Sequence, residues 1–168
     1  MSPAVRTWVD IHASPQDVWD VVMNPHLLDR WVTTHVGVAD APERLSSGSS
    51  FEQTLKLAGK SFTVRWTVAH ACWPCRADWL GEGPYGSHAR VTYELERLED
   101  GGTRFWYEND FELPAGVLGR AAGRLVGPSR AQREAARSLR RLKLLLEKEP
   151  LIRQSTEASC LRAARERP

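Results

Sequence analysis

The spacing of apolar residues changes along this chain from strict alternation to helical spacing and back again. Residues 4–12 alternate apolar and polar side chains, which is typical of a strand with one buried face. Ser14 and Pro15 then form a typical helix start, and apolar residues at helical spacing as far as Val32 predict two short helices. Alternation returns in six later segments, which we predict as strands: 35–39, 50–58, 61–70, 76–82, 88–98 and 103–113.

The C-terminal part of the chain has helical spacing. Residues 116–149 are predicted to form one long helix, bent at Gly127-Pro128 because an internal proline removes a backbone hydrogen bond. The glycine-rich half before the bend has the weaker helix propensity, so we expect it to be the more mobile half and to act as a lid. Pro150 is expected to end the helix. We therefore predict one domain over residues 1–149 and a mobile C-terminal tail over residues 150–168.

The order of these elements, one strand, two helices, six strands and a long helix, indicates the α+β class. Hairpin-length connections make the sheet antiparallel. Each strand has one apolar face that must be covered, and only the C-terminal helix is long enough to cover it. The sequence therefore predicts a curved antiparallel sheet of about seven strands wrapped on that helix, with an apolar cavity between them.

Composition restricts the class of protein further. A chain of 168 residues with 42% apolar and 26% charged residues is typical of one globular domain, and a net charge of +2 gives no strong overall field. Neither an apolar run of about 20 residues nor a typical secretory signal is present, so we expect a soluble protein. Three cysteines without an export signal are expected to be reduced thiols, which indicates the cytoplasm.

Aromatic side chains recur on the strand faces that are predicted to point inward. They are Phe51, Phe62, Trp66, Trp79, Tyr93, Phe105, Tyr107 and Phe111. One such residue alone is more often core packing, whereas the whole set under a curved sheet indicates a ligand cavity. The inward polar residues are Gln53, His70, Tyr93, Tyr107 and Asn109, of which Asn109 either faces the cavity or makes a structural hydrogen bond. The predicted cavity lining is Phe51, Gln53, Phe62, Trp66, Trp79, Tyr93, Tyr107, Asn109, Leu118 and Leu125.

Three segments carry a resemblance to a known family. They are Ala13 to Asp20 (ASPQDVWD) with Trp31 after it, Gly86 to Glu96 (GSHARVTYELE), and the stretch from Leu118 to Glu147. These segments resemble the first strand-to-helix junction, the sixth strand and the closing helix of the START-like, or SRPBCC, superfamily and its helix-grip fold. In particular they resemble its bacterial polyketide cyclase/dehydrase-type members. The resemblance implies a lipid, sterol, polyketide or other apolar ligand between helix and sheet, and in some members cyclisation or dehydration.

Three functional hypotheses follow from these observations. The leading one is a binding protein for a hydrophobic small molecule or lipid, with no obligatory cofactor. The second is a cyclase/dehydratase-like enzyme for an aromatic or polyketide-like substrate, which requires a polar cluster around Tyr107, Asn109 or Gln53 in the cavity. No spacing names a base, an acid and an orienting partner, so we assign no catalytic residue. The third is a toxin-like interaction protein with an exposed apolar patch, because residues 31–45 resemble an actinobacterial subgroup in which one member is described as the toxin of a toxin–antitoxin pair.

Two other groups of residues bear on ligands and partners. Cys72 and Cys75, with His70 and His88 nearby, are types that bind zinc, but a single pair at a hairpin favours a structural turn with two free thiols. The last helix has a basic face made of Arg130, Arg133, Arg137, Arg140, Arg141 and Lys143. A solvated outer face is the favoured interpretation, and contact with an anionic membrane is the alternative. No nucleic-acid motif is present, so no nucleic-acid partner is predicted.

Overall fold

The computed structural model describes residues 5–57, 59–112 and 128–165, and for residue 128 and residues 149–165 it describes the backbone alone. The helices and strands follow the chain as β1 (Val5–Ile11), α1 (Pro15–Val22), α2 (Leu28–Trp31), β2 (His35–Ala39), β3 (Ser50–Leu57), β4 (Lys60–Cys72), β5 (Arg76–Glu82), β6 (His88–Arg97), β7 (Thr103–Glu112) and α3 (Pro128–Arg165). Short 3-10 turns precede α2 at Pro25–Leu27 and β6 at Pro84–Gly86.

The seven strands form one antiparallel sheet in the order β1-β7-β6-β5-β4-β3-β2. Strands β2 to β7 are joined as consecutive neighbours, and β7 returns to pair with β1. Because β1 and β2 are the two edges, the segment that contains α1 and α2 crosses from one edge of the sheet to the other. The predicted fold class is confirmed: the protein has an α+β helix-grip fold, with a curled sheet and a long C-terminal helix.

Two irregularities help the sheet to curl. The register shifts between His35 and Gly37 on β2, and again between Val68 and His70 on β4. A bulge bends its strand and increases the local twist. The shift on β4 also reverses the alternation of its side chains, so Val68 is buried whereas His70 is exposed. The prediction that His70 faces inward was therefore wrong.

Helix α1 begins as its sequence predicts. The Ser14 hydroxyl accepts a hydrogen bond from the Asp17 backbone N–H at 3.2 Å, and Pro15 is the first helical residue. A capped start of this kind satisfies an N–H group that the helix itself leaves free. The helix then buries Val18 and Val22 against the sheet.

Helix α3 packs along β1 and α2 through one apolar face. Among the described side chains of α3, the buried residues of that face are Ala135, Ser138, Leu139, Leu142 and Leu146, which follow one another at helical spacing. The Thr33 backbone N–H donates to the Ser138 hydroxyl at 3.1 Å, and the Thr33 hydroxyl donates to the Glu134 carboxylate at 2.8 Å. These bonds fix the helix against the turn that follows α2.

Lys143 does not belong to the basic outer face of α3, contrary to the prediction. Its ammonium group donates to the backbone carbonyl of Asp10 at 2.6 Å and pairs with Glu147 at 2.8 Å. The same Glu147 carboxylate accepts from the His12 backbone N–H at 3.0 Å. Lys143 therefore links the helix to β1, an edge strand whose Asp10 carbonyl accepts the hydrogen bond.

The C-terminal end of α3 differs from the prediction. The described part of the helix begins at Pro128. The predicted helix and lid over 116–127, and the bend at Gly127-Pro128, depend on residues outside those described. The helix continues past Pro150 to Arg165, so the prediction that Pro150 ends it was wrong, while the mobile tail and the domain boundary stay predictions. Within the described ranges, no helix is both long and apolar enough to cross a membrane.

Candidate functional site

A continuous row of aromatic rings crosses the inner face of the sheet. Trp79 is at its centre, with ring centroids 5.6 Å from Phe51, 6.1 Å from Trp66 and 5.0 Å from Tyr93. Tyr93 in turn lies 5.3 Å from Phe105. The rings meet mostly edge to face, the arrangement that their quadrupoles favour, and all five side chains are buried. The structure thus brings these predicted residues together in one buried cluster.

Trp31 of α2 covers one end of this row. Its ring centroid lies 6.2 Å from that of Tyr93 and 6.4 Å from that of Phe105, and only 1% of its surface is exposed. The sequence placed Trp31 on a short helix but gave no signal that this helix lies over the aromatic row. The part of the inner face below Trp31 is therefore filled by side chains.

A second part of the inner face is less completely covered. Here Phe62, Tyr107, Asn109 and Phe111 are only partly buried, although each occupies an inward position of its strand. The other two predicted lining residues, Leu118 and Leu125, lie outside the described residues. The accessible inner positions are thus concentrated on the later half of β7 and at the start of β4.

Tyr107 and Asn109 form a polar pair in this accessible part. The Asn109 side-chain N–H donates to the Tyr107 hydroxyl oxygen at 3.0 Å. The Asn109 Oδ1 atom is buried and has no hydrogen-bond partner among the described residues. Burial raises the pKa of Tyr107 to about 12, so its hydroxyl stays protonated at neutral pH and acts as a donor. The pair therefore presents one free acceptor and one free donor.

Trp79 adds a further donor to the same face. Its indole N–H is buried without a partner among the described residues. Asn109 pairs with Val91 on β6, and Val91 pairs with Trp79 on β5, so all three residues lie in one row of the sheet. Two strand spacings separate Asn109 from Trp79, which is about 10 Å between their backbones.

Gln53, by contrast, is fully engaged within the protein. Its side-chain oxygen accepts from the Trp66 indole N–H at 2.9 Å, and its side-chain nitrogen lies 3.0 Å from Nδ1 of His35. Because an indole nitrogen only donates, this chain fixes the amide orientation, and Gln53 must donate to Nδ1. His35 is therefore neutral, with its proton on Nε2, in accord with the burial that lowers its pKa. Sequence reasoning missed His35, whose only signal was its place at the start of β2.

The position of Trp66 depends on a glycine. Its ring extends across the neighbouring strand β5, where a Cβ atom on Gly81 would lie 2.6 Å from Trp66 Cζ3 and 2.9 Å from Val64 Cγ1. No real side chain tolerates such contacts, so Gly81 leaves the room that Trp66 occupies. Ala89 follows Gly81 in the same row, and Phe111 comes next on β7.

The outer face of the sheet contains a groove of about 510 Å³ across β5, β6 and β7. Charged residues including Glu82, Arg90 and Asp110 line it, and none of the aromatic rings described above does. Among the side chains that the structure describes, the exposed large apolar residues are Trp8, Val36, Trp73, Leu80, Tyr85 and Leu144, which are spread over separate parts of the fold. The toxin-like hypothesis, with its single apolar patch, stays a prediction.

The remaining predicted groups lie at the surface. Cys72 and Cys75 are both exposed and free. Within the described part of the chain, no three His, Cys, Asp or Glu side chains are close enough to hold a metal ion. The outer face of α3 exposes Arg130, Arg133, Arg137, Arg140 and Arg141, of which Arg137 pairs with Glu134 at 3.2 Å. Membrane contact through this face stays a prediction.

Comparison with known sequences identifies relatives of this chain. The family model described as polyketide cyclase / dehydrase and lipid transport matches residues 2–147. A protein of Mycobacterium tuberculosis (strain CDC 1551 / Oshkosh), named Uncharacterized protein MT1597, is 28% identical over 134 residues. The match covers 73% of this chain and 87% of that protein.

Solved structures share the fold. TTHA0849 from Thermus thermophilus has a TM-score of 0.69 at 19% identity, covering 84% of this chain and 94% of that one. DynU16, described as a protein in the dynemicin biosynthetic locus, has a TM-score of 0.63 at 17% identity, covering 89% of this chain and 49% of that one. At these identities the likeness shows the fold alone. Since the family model matches nearly the whole chain, the resemblance seen in the sequence is confirmed, and the chain belongs to the polyketide cyclase / dehydrase and lipid transport family.

Proposed function

We propose that the protein binds an uncharged, largely apolar small molecule against the inner face of its sheet, with Tyr107 and Asn109 as the polar contacts. The observation that carries this proposal is the buried Asn109 Oδ1 atom, which lacks a hydrogen-bond partner among the described residues. Family membership supports a ligand of the polyketide or lipid type.

The two polar groups fit one chemical group of a ligand. An unpaired buried acceptor costs about 1–3 kcal/mol, which a donor from the ligand would recover. The Tyr107 hydroxyl already accepts from Asn109 and, being protonated, has its own proton to donate. A ligand hydroxyl can accept a hydrogen bond from the Tyr107 O–H and donate one to Asn109 Oδ1 at the same time. The pair therefore favours an apolar ligand that carries a hydroxyl or an enol.

The same face argues for a ligand without charge. The buried polar side chains among the described residues are Gln53, Ser87, Thr103 and Ser138, and none of them is charged. A charged ligand would lose its hydration on entry and would meet no buried counter-ion there.

A matched pair of probes tests the proposal. 2-Naphthol and 2-methylnaphthalene share one aromatic skeleton, but only the naphthol carries a hydroxyl. Titration of the purified protein, followed by tryptophan fluorescence, should show that 2-naphthol binds more tightly by about 5- to 160-fold, which corresponds to about 1–3 kcal/mol for two net hydrogen bonds. Asn109→Leu removes one of the two hydrogen bonds, so its preference should fall to about 2- to 12-fold, and it should still bind 2-methylnaphthalene.

Glu108→Gln is the matched control, because Glu108 lies between Tyr107 and Asn109 but on the opposite face of β7. This variant should keep the preference for 2-naphthol. Failure of both probes to bind would refute the proposal of an apolar site. Binding of both with equal affinity by the unaltered protein would refute the role of the Tyr107–Asn109 pair. Native mass spectrometry of gently purified protein gives an independent measurement, since a copurified apolar ligand is expected.

A second candidate, a cyclase/dehydratase-like enzyme, is favoured by the protonated Tyr107 hydroxyl, which can polarise a carbonyl group of a bound substrate. The solved relative DynU16, described as belonging to a biosynthetic locus, supports the same candidate. A synthetic linear poly-β-ketone thioester is a suitable test substrate. Cyclised or dehydrated product formed by the unaltered protein and lost in Tyr107→Phe would establish it, whereas recovery of unchanged substrate would exclude it.

A further inference from the structure

Two cysteines meet at the turn between β4 and β5. Cys72 is the last residue of β4, and Cys75 immediately precedes the first residue of β5. Both are exposed to solvent. The Cys75 backbone N–H donates to the Cys72 carbonyl at 2.7 Å, and the Cys75 thiol approaches the same carbonyl at 3.1 Å. The turn is therefore closed by its own backbone, with both thiols at its base.

This geometry suits a bond between the two sulfur atoms. A turn closed in this way keeps its first and last Cα atoms within about 7 Å, and disulfides join Cα atoms about 4.4–6.8 Å apart. The neighbouring Cys72 thiol raises the pKa of Cys75. The Leu95 backbone N–H donates to the Cys75 carbonyl at 2.8 Å, so β6 holds this end of the turn in place. Closure to a disulfide thus needs little backbone movement.

We propose that Cys72 and Cys75 form a reversible redox site, which closes to an intramolecular disulfide by exchange with a small disulfide such as glutathione disulfide. The thiolate of one cysteine attacks the glutathione disulfide, so a mixed disulfide forms and one glutathione leaves. The thiolate of the second cysteine then attacks the protein sulfur of that mixed disulfide and releases the second glutathione. Two electrons pass from the cysteine pair to the oxidant, and the two thiol protons end on the two released glutathione molecules.

The surroundings favour this role over two others. Among the residues described, no third ligand accompanies the pair, so a metal ion would have only two protein donors. The pair lies on a hairpin and not at a helix N-terminus, the position that activates the thiol of a disulfide oxidoreductase. The site is therefore suited to respond to the redox state of its surroundings and not to catalyse the oxidation of other proteins.

The unaltered full chain is sufficient for the test. Cys72 and Cys75 lie together in the peptide from Trp66 to Arg76, which trypsin releases and which does not contain Cys160. The native protein is incubated with glutathione disulfide, its free thiols are blocked with N-ethylmaleimide, and the peptide is weighed by mass spectrometry. We expect this peptide to lose both maleimide-reactive thiols and two hydrogen atoms, without bound glutathione, and to regain both thiols after dithiothreitol.

Single-cysteine variants provide the control. Cys72→Ser and Cys75→Ser should each keep glutathione as a stable mixed disulfide, because neither has a second thiol to displace it. A stable glutathione adduct on the unaltered pair would overturn the proposal, and so would two thiols that remain free in the unaltered protein while the variants react. Absence of reaction in all three proteins would overturn it too, since the site would then be inaccessible to the oxidant.

Discussion

Two amide side chains on the inner face should respond differently to substitution. Gln53→Met and Asn109→Leu each replace the amide with an apolar group of similar shape. In Gln53→Met the Trp66 indole N–H loses its acceptor and His35 loses its donor. An unpaired buried group costs about 1–3 kcal/mol, and His35 is only partly buried, so we expect a total loss of about 2–4 kcal/mol in the free energy of unfolding.

Asn109→Leu removes one hydrogen bond to Tyr107, which is worth about 0.5–1.5 kcal/mol, and also removes the unpaired Oδ1 atom, which relieves about 1–3 kcal/mol. The two effects oppose each other, so this variant should lie between about 0.5 kcal/mol less stable and about 2.5 kcal/mol more stable than the unaltered protein. Urea unfolding of the ligand-free proteins, followed by tryptophan fluorescence, measures both. A loss from Asn109→Leu as large as that from Gln53→Met would refute the reasoning, because it would mean that Asn109 is as fully bonded as Gln53.

Three further outcomes are expected from the same unfolding measurement. Gly81→Ala should lower the free energy of unfolding by about 1–3 kcal/mol, because the added methyl group overpacks against Trp66. Gly37→Ala places its methyl group where no atom lies within 4 Å and should be nearly neutral. Equal effects of the two substitutions would contradict the crowding at Gly81. Burial lowers the pKa of His35, so the unfolded chain binds a proton at this residue more readily than the folded protein does. The stability that neutral His35 contributes is therefore present above a pH of about 6.5 and is lost as the pH falls below that value. Between pH 7.5 and 5.5 the free energy of unfolding should fall less in His35→Gln than in the unaltered protein, and an equal fall would count against a neutral His35. Lys143→Met should lower the free energy of unfolding by about 0.5–1.5 kcal/mol, because the hydrogen bond to β1 is lost. Lys148→Met is the control, since Lys148 is exposed and its replacement should have little effect.

The strands and their faces could be predicted from the sequence because alternation reports directly which side of a sheet is buried. The prediction failed where local structure interrupts that rule. The bulge between Val68 and His70 has no signature in the alternation, so His70 was assigned to the wrong face. A proline removes one helical hydrogen bond, but strong helix formers such as the leucines and glutamates before Pro150 allow the helix to continue.

The site could be predicted only as a set of residue types. Gln53 and Asn109 look alike in sequence, since both are amides on inward strand positions. Their different roles come from contacts between strands. Gln53 lies diagonally opposite Trp66 and near His35, whereas the cross-strand partners of Asn109 are valines and its amide bonds to Tyr107 on its own strand. Hydrogen bonding between side chains distant in sequence has no period and leaves no local signal. The same is true of Trp31, whose position over the aromatic row depends on where α2 crosses the sheet.

The inner face of the sheet is thus divided into a filled part and a part with unused hydrogen-bonding capacity. Under Trp31 and the leucines of α3, each ring meets another ring, and a ligand there would have to displace core packing that costs several kcal/mol to open. Along the later half of β7, Tyr107 and Asn109 are partly accessible, and together they retain a free donor and a free acceptor. Burial of an apolar ligand there would cover surface that is still exposed and would pair atoms that are now unpaired, without disturbing the core. Binding at this position is therefore compatible with a stable ligand-free fold.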